Sequence, residues 1–173
     1  MLNPEAIKYL ILHTSDSEWG TVKDIDLWHK QRGWDMVGYH YVVTNQFPTY
    51  NSLKNHKSID DYDGVVWRAR PIDEVGSHCL NWNDKSLGIC LIGKHGIYTT
   101  KQIDSVMQLL IRLNTRYLVS IANIIGHYET DTGKNQGKTC PDIQMDAMRL
   151  TLSATPLSAE LDLDKLRDGL SQS

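Results

Sequence analysis

Cysteine is scarce in this sequence and odd in number: Cys79, Cys90 and Cys140 are the only three in 173 residues. Three sparse cysteines do not make a disulfide framework, which excludes a small scaffold stapled by crosslinks. No apolar run approaches the ~20 residues that a membrane-spanning helix needs. The first residues, MLNPEAIKYLILHTSDSE, lack a basic leader region, and the apolar stretch Tyr9 to Leu12 is too short for a signal-peptide core. A cytoplasmic product is expected, one that reaches any outside target by another route. There is no lysine- or arginine-rich run and no basic stripe, and the formal net charge is -3, so a general nucleic-acid binder is not expected. Repeats and low-complexity segments are missing too.

What is present reads as one globular α/β domain, expected to be a monomer. The length suits a single substantial core, and the apolar and charged fractions are ordinary. IKYLILH (7–13) reads as a buried strand, and YHYVVT (39–44) and VVWRA (65–69) as two more. SLGICLIG (86–93) is the most apolar and is expected at the centre of the sheet. A helix capped by Thr21 or Asp24 should run to about Arg32 and stop at Gly33. A longer one follows Thr99 or Thr100, with Ile103, Val106, Met107, Leu110, Ile111 and Leu113 at helical spacing. NIIGH is a short strand ending in His127, and Pro141 suits the first turn of a helix PDIQMDAMRLTL. Residues 45–62 read as an inserted loop. Residues 1–152 form the expected domain, and 153–173 a tail with a short helix over 158–170. Strands alternating with helices imply a mixed sheet covered on both faces.

Three side chains stand at ends of elements, where a cleft forms: His13, His127 and Cys140. Two imidazoles and a thiolate suit a catalytic zinc, which keeps three protein ligands and one open position. On such a metal the pKa of water falls from ~15.7 to near 7. Spacing alone does not decide this. Each histidine is equally consistent with a hydrogen-bonded structural residue, and Cys140 with a nucleophile or a small buried filler.

Several segments occur in a telling order: ILHTSDS, DLWHKQRGWDMVGYHYVV, GSHCLNWNDKSLGICLIG, TTKQIDSVMQLLIRL, IIGHYE and GKTCPD. Together, over roughly residues 7–150, they resemble the zinc-dependent N-acetylmuramoyl-L-alanine amidases of the phage-lysozyme and peptidoglycan-recognition superfamily. The resemblance implies a mixed-sheet α/β domain with an open groove over one zinc ion, held by His13, His127 and Cys140. Tyr39 matches a tyrosine beside the reacting centre, and Lys138 a cation near the scissile carbonyl. His78 and Asn83 match positions lining the substrate cleft, Arg70 or Arg68 is placed to meet a stem-peptide carboxylate, and Trp82 to stack on substrate. Some branches carry a glutamate base where this chain has Cys90, so a tyrosine–lysine arrangement is expected and Cys90 is read as core. His29 and Trp28 are read as packing residues, and His40, His56 and His95 stay unassigned.

The expected activity is cleavage of the bond between N-acetylmuramic acid and L-alanine in peptidoglycan, as in a phage or prophage endolysin. A non-catalytic peptidoglycan-binding module is the rival. Relatives of that kind typically lose the cysteine that this chain keeps at position 140. A zinc hydrolase of another amide is a third reading, because a metal centre is indifferent to what flanks the carbonyl.

Overall fold

The computed structural model describes residues 1–155 and 162–171. In chain order the elements are β1 (Tyr9–Thr14), α1 (Val22–Gln31), β2 (Tyr41–Val43), α2 (Tyr50–Lys54), β3 (Val66–Arg68) and β4 (Ser86–Leu91). Then come α3 (Thr100–Tyr117), β5 (Ile124–Gly126), α4 (Asp131–Asn135), α5 (Met145–Ala154) and β6 (Arg167–Asp168). The strands form one six-stranded sheet in the order β5-β1-β4-β2-β3-β6. Its central pairs are parallel and β2–β3 is antiparallel, so the sheet is mixed.

Alternation along each strand sorts the side chains onto two faces. Leu10 and Leu12 of β1, Leu87, Ile89 and Leu91 of β4, and Tyr41 and Val43 of β2 share one core with α3 and α5. From the helices, Val106, Leu109, Leu110 and Leu113 and then Met145, Met148 and Leu152 complete it. Val42, Trp67 and Cys90 point the other way, against Val22 and Ile25 of α1. Both faces are therefore covered, as the alternation of strands and helices predicts.

Helix starts follow their caps. Thr21 and Asp24 form a capping box for α1, and Thr99 and Gln102 do so for α3, where the Thr99 hydroxyl also donates to Asp63 at 2.6 Å. Three expectations need correction. α5 begins at Met145 and not at Pro141: Asp142 adopts φ 57°, outside the right-handed helical region, and the Tyr98 hydroxyl ties the Pro141 carbonyl at 2.6 Å. Residues 45–62 are not structureless, because Thr49 and Ser52 form a capping box that nucleates α2. The expected tail helix over 158–170 is not found among the described residues. Residues 156–161 lie outside the description, and 162–170 hold a short 3-10 turn and then β6, which pairs with β3. Leu166 is buried in the main core there.

Behind the sheet, His40 is buried at 1% exposure. Its Nδ1 accepts from the Gly88 N–H and its Nε2 donates to the Glu74 carbonyl, both at 3.0 Å, so the ring bridges β4 to the 70s loop. Burial pushes its pKa down to about 4, against the smaller opposing pull of the Glu74 carbonyl. The unfolded chain binds a proton there near its ordinary 6.5 and the folded chain does not, so the unfolded state holds more protons through that window. Stability of the metal-free protein is expected to be complete above about pH 6.5 and to fall as the pH drops toward about 4. Urea unfolding midpoints at about pH 7 and about pH 5 check this; equal midpoints would count against it.

Candidate metal centre

The second face of the sheet carries the site. In β1, His13 alternates with Leu12 and so leaves the main core for the side covered by α1, where it is 2% exposed. β5 runs beside β1 in parallel, with Leu12 opposite Gly126, which places the next residue, His127, alongside His13. The two rings lie 4.7 Å apart between centroids. Cys140 arrives from the loop after α4, with its Sγ 3.3 Å from His127 Nδ1.

That loop is built rather than slack. The Thr130 hydroxyl donates to the His127 carbonyl at 2.8 Å and accepts from the Gly133 N–H at 2.9 Å. A side chain at Gly133 would collide with the His127 carbonyl. Glu129 accepts from the Gly126 N–H at 2.8 Å and pairs with Arg149 of α5 at 2.8 Å. The Tyr128 N–H donates to the Cys140 carbonyl at 3.1 Å and closes the turn. Two potential ligands thus sit on one braced segment, and the third on a central strand.

One potential ligand atom from each of His13, His127 and Cys140 falls within 4.8 Å of the others. A tetrahedral zinc with ordinary bond lengths spaces its nitrogen and sulfur ligands roughly 3.3–3.6 Å apart. The Cys140–His127 pair already has that spacing, and the longest separation closes with about an ångström of side-chain movement. The donor set fits a borderline-soft metal ion. Protonation agrees. Burial, reinforced by His78, His127 and the Lys138 charge, holds His13 well below its ordinary pKa. Burial and then Lys138 lower His127 as well. Both imidazoles are therefore neutral and available as ligands. Burial raises the Cys140 thiol, so metal capture there releases a proton.

A groove of about 750 Å³ opens over this cluster. Tyr39 lines it, half-buried, with its ring 5.1 Å from that of His13. Burial, followed by the neighbouring Cys90 and Cys140 thiols, raises its pKa far above the ordinary value, so the phenol keeps its proton. Lys138 also lines the groove and is exposed. His78 and Asn83 belong to it too. Asn83 Oδ1 accepts from the His78 and Cys79 backbone N–H groups at 2.9 and 2.8 Å, and His78 is buried behind His13 with Nδ1 3.0 Å from His13 Nε2.

The structure does not bring Arg70, Arg68 or Trp82 to this groove. Arg70 is 7% exposed, pairs with Asp35 at 2.8 Å, and lines a separate cavity with Arg68. The Trp82 indole N–H donates to Asp131 at 2.7 Å and its ring lies edge-on to Tyr9. None of residues 45–62 lines the groove either.

Conversely, α1 contributes more than packing. Ile25, Trp28, His29 and Arg32 all line the groove, together with Trp34 just beyond the helix. Their i, i+3, i+4, i+7 spacing is one helical stripe that turns from apolar to aromatic and basic. That change of character along a single face was the available signal. His29 Nδ1 accepts from the Gly38 N–H at 3.0 Å, and burial lowers its pKa to about 4, so its one proton stands on Nε2.

Comparison with known proteins agrees with this architecture. The model of the N-acetylmuramoyl-L-alanine amidase family matches residues 3–143. The endolysin of Enterobacteria phage T3 is 29% identical over 150 residues, covering 82% of each chain. Among solved structures, the N-acetylmuramoyl-L-alanine amidase LysC from Clostridium intestinale superposes with a TM-score of 0.68 at 23% identity, covering 87% of each chain. A Tyr-to-Phe mutant of Drosophila PGRP-LB in complex with tracheal cytotoxin has the same fold with a TM-score of 0.56 at 22% identity, over 78% of this chain and 75% of that one. A single family model running from before β1 to beyond Cys140 takes in β1 to β5 and all of His13, His127 and Cys140, and the chain belongs to the N-acetylmuramoyl-L-alanine amidase family.

Proposed function

We propose that this chain is a zinc hydrolase that cuts the amide bond between N-acetylmuramic acid and L-alanine in peptidoglycan, in the manner of a phage endolysin. The observation that carries the proposal is the convergence of His13, His127 and Cys140, with ligand atoms within 4.8 Å, on the groove. When bound there, zinc supplies Lewis-acid polarisation and a water made acidic enough to ionise near neutral pH.

The protein's own groups supply the rest. Attack on an amide carbonyl puts negative charge on its oxygen, and Lys138 is the cation whose charge reaches His13, His127 and Cys140. It offsets that developing charge. Departure of the amine requires a proton on nitrogen. Tyr39, kept protonated beside His13, is the donor in reach of the reacting centre. The aromatic faces of Trp28 and Trp34 and the Arg32 guanidinium give the groove a mixed apolar and cationic wall, suited to a glycopeptide carrying carboxylates.

Incubation with purified sacculi should release new L-alanine amino termini, and a chelator should stop it. New reducing sugar ends without such termini would overturn the amidase reading, and tight binding without cleavage after zinc is restored would mark a recognition module. Cys140→Ser is expected to lose stoichiometric zinc together with activity; unchanged metal content would remove Cys140 from the ligand set. Lys138→Ala should keep its zinc and lose about 10²-fold in turnover, the usual cost of one electrostatic contact to an oxyanion. Wild-type turnover in that variant would take Lys138 out of the chemistry.

A further inference from the structure

Behind the groove, four groups form a buried chain whose hydrogen bonds allow only one direction. The Ser86 hydroxyl gives its single proton to the Trp82 carbonyl at 2.6 Å. Toward His78 Nε2, 3.4 Å away, Ser86 Oγ can then only accept. His78 Nε2 therefore carries the hydrogen. His78 is 7% exposed and its ring nitrogens meet only Ser86 and His13, with no carboxylate to balance a charge, so it is a neutral imidazole with one N–H and its Nδ1 is an acceptor. The atom that faces that Nδ1 at 3.0 Å is His13 Nε2, which must donate. His13 is 2% exposed and has spent its one N–H on His78, so its lone pair is left on Nδ1.

The ring at the middle of this chain has a place cut for it. A Cβ at Gly88 would stand 2.5 Å from His78 Cγ, and one at Gly76 would stand 2.6 Å from His78 Cδ2. The ring lies where it does only because both positions are glycine. Ser86 is fully buried, His13 2% exposed and His78 7% exposed, so water does not compete for these bonds.

We infer that His78, backed by Ser86, is a positioning residue that fixes His13 as its Nε2–H tautomer and leaves Nδ1 as the metal-binding nitrogen. The inference rests on the metal reading above for its purpose, though the tautomer itself exists without metal. An imidazole that must rotate or shift its proton before binding is a poorer ligand, and partners of this kind are typically worth about 10- to 100-fold in metal affinity.

The test begins with metal-free wild-type protein labelled with 15N-histidine. Long-range proton–nitrogen spectra should show both His13 and His78 protonated on Nε2 and bare on Nδ1. A His13 ring protonated on Nδ1 overturns the inference, whatever the protein does with zinc. His78→Phe keeps a ring in the glycine cradle and removes the acceptor. It should leave His13 as a mixture of tautomers and weaken zinc binding about 10- to 100-fold in competition with a chromophoric chelator. His78→Gln restores an acceptor oxygen and should recover most of that loss. Wild-type zinc affinity in His78→Phe would overturn the inference. A wild-type protein with the expected tautomers that binds no zinc would sink the metal reading and leave the tautomer assignment standing.

Discussion

Everything at the site depends on where β1 lies in the sheet. It is paired in parallel on both sides, with β4 along its whole length and with β5 over Leu10 to Leu12, so its register is set from two directions. A slip of one residue would exchange the faces, sending His13 into the α3 side and Leu12 into the groove. The hydrophobic cost of that exchange holds the register, and the register holds His13 beside His127. Cα pairing of His13 with Cys90 then puts a small thiol next to the imidazole on the same face.

The electrostatic character of the groove follows from burial more than from charge. His13, His78 and His29 are all pushed toward their neutral forms, and Tyr39 is held protonated. Desolvation is the largest cause in each case, because the rings are stacked on one another and on the sheet instead of facing water. Among the described groove residues, Lys138 and Arg32 bring positive charge, and Asp16 and Asp142 stand on the opposite side of the balance. The groove therefore combines neutral donors with an exposed cation at its rim, the arrangement that the proposed amide cleavage calls on when negative charge develops on substrate.

Much of this was legible from residue order, and the limits were physical. Strand cores and the α1 and α3 caps could be read because each rests on local chemistry: alternation, or a Thr with a partner three residues on. His13, His127 and Cys140 stood out only as ligand-type residues at ends of elements, and it was the resemblance over residues 7–150 that joined them into one set. Pro141 misled because a proline that suits a helix start also suits a turn, and the left-handed Asp142 is decided by Tyr98, distant in sequence. The tail misled because β6 exists only through its pairing with β3, some hundred residues earlier in the chain. Arg70 was visible as an arginine but not as one already claimed by Asp35. His29 and Trp28 read as packing residues, and Arg32 only as the end of α1, because a helix face shows its period in sequence, but not the cavity it borders. The direction of the Ser86–His78–His13 hydrogen bonds needs atomic distances and has no signature in the order of residues.

The sheet also closes itself off in an economical way. Its outer strands are β5, of three residues, and β6, of two, and beyond β6 the Gly169 N–H is taken by the Arg68 carbonyl while Gly169 packs on Val22 of α1. Strand-by-strand growth between molecules needs a long row of open backbone donors and acceptors, and each described edge presents only a few. The long, apolar β1 and β4, which would be the most adhesive segments if they were exposed, are kept in the interior of the sheet. Self-association through cross-β pairing therefore requires the sheet to come apart first, which ties resistance to aggregation directly to the stability of the fold.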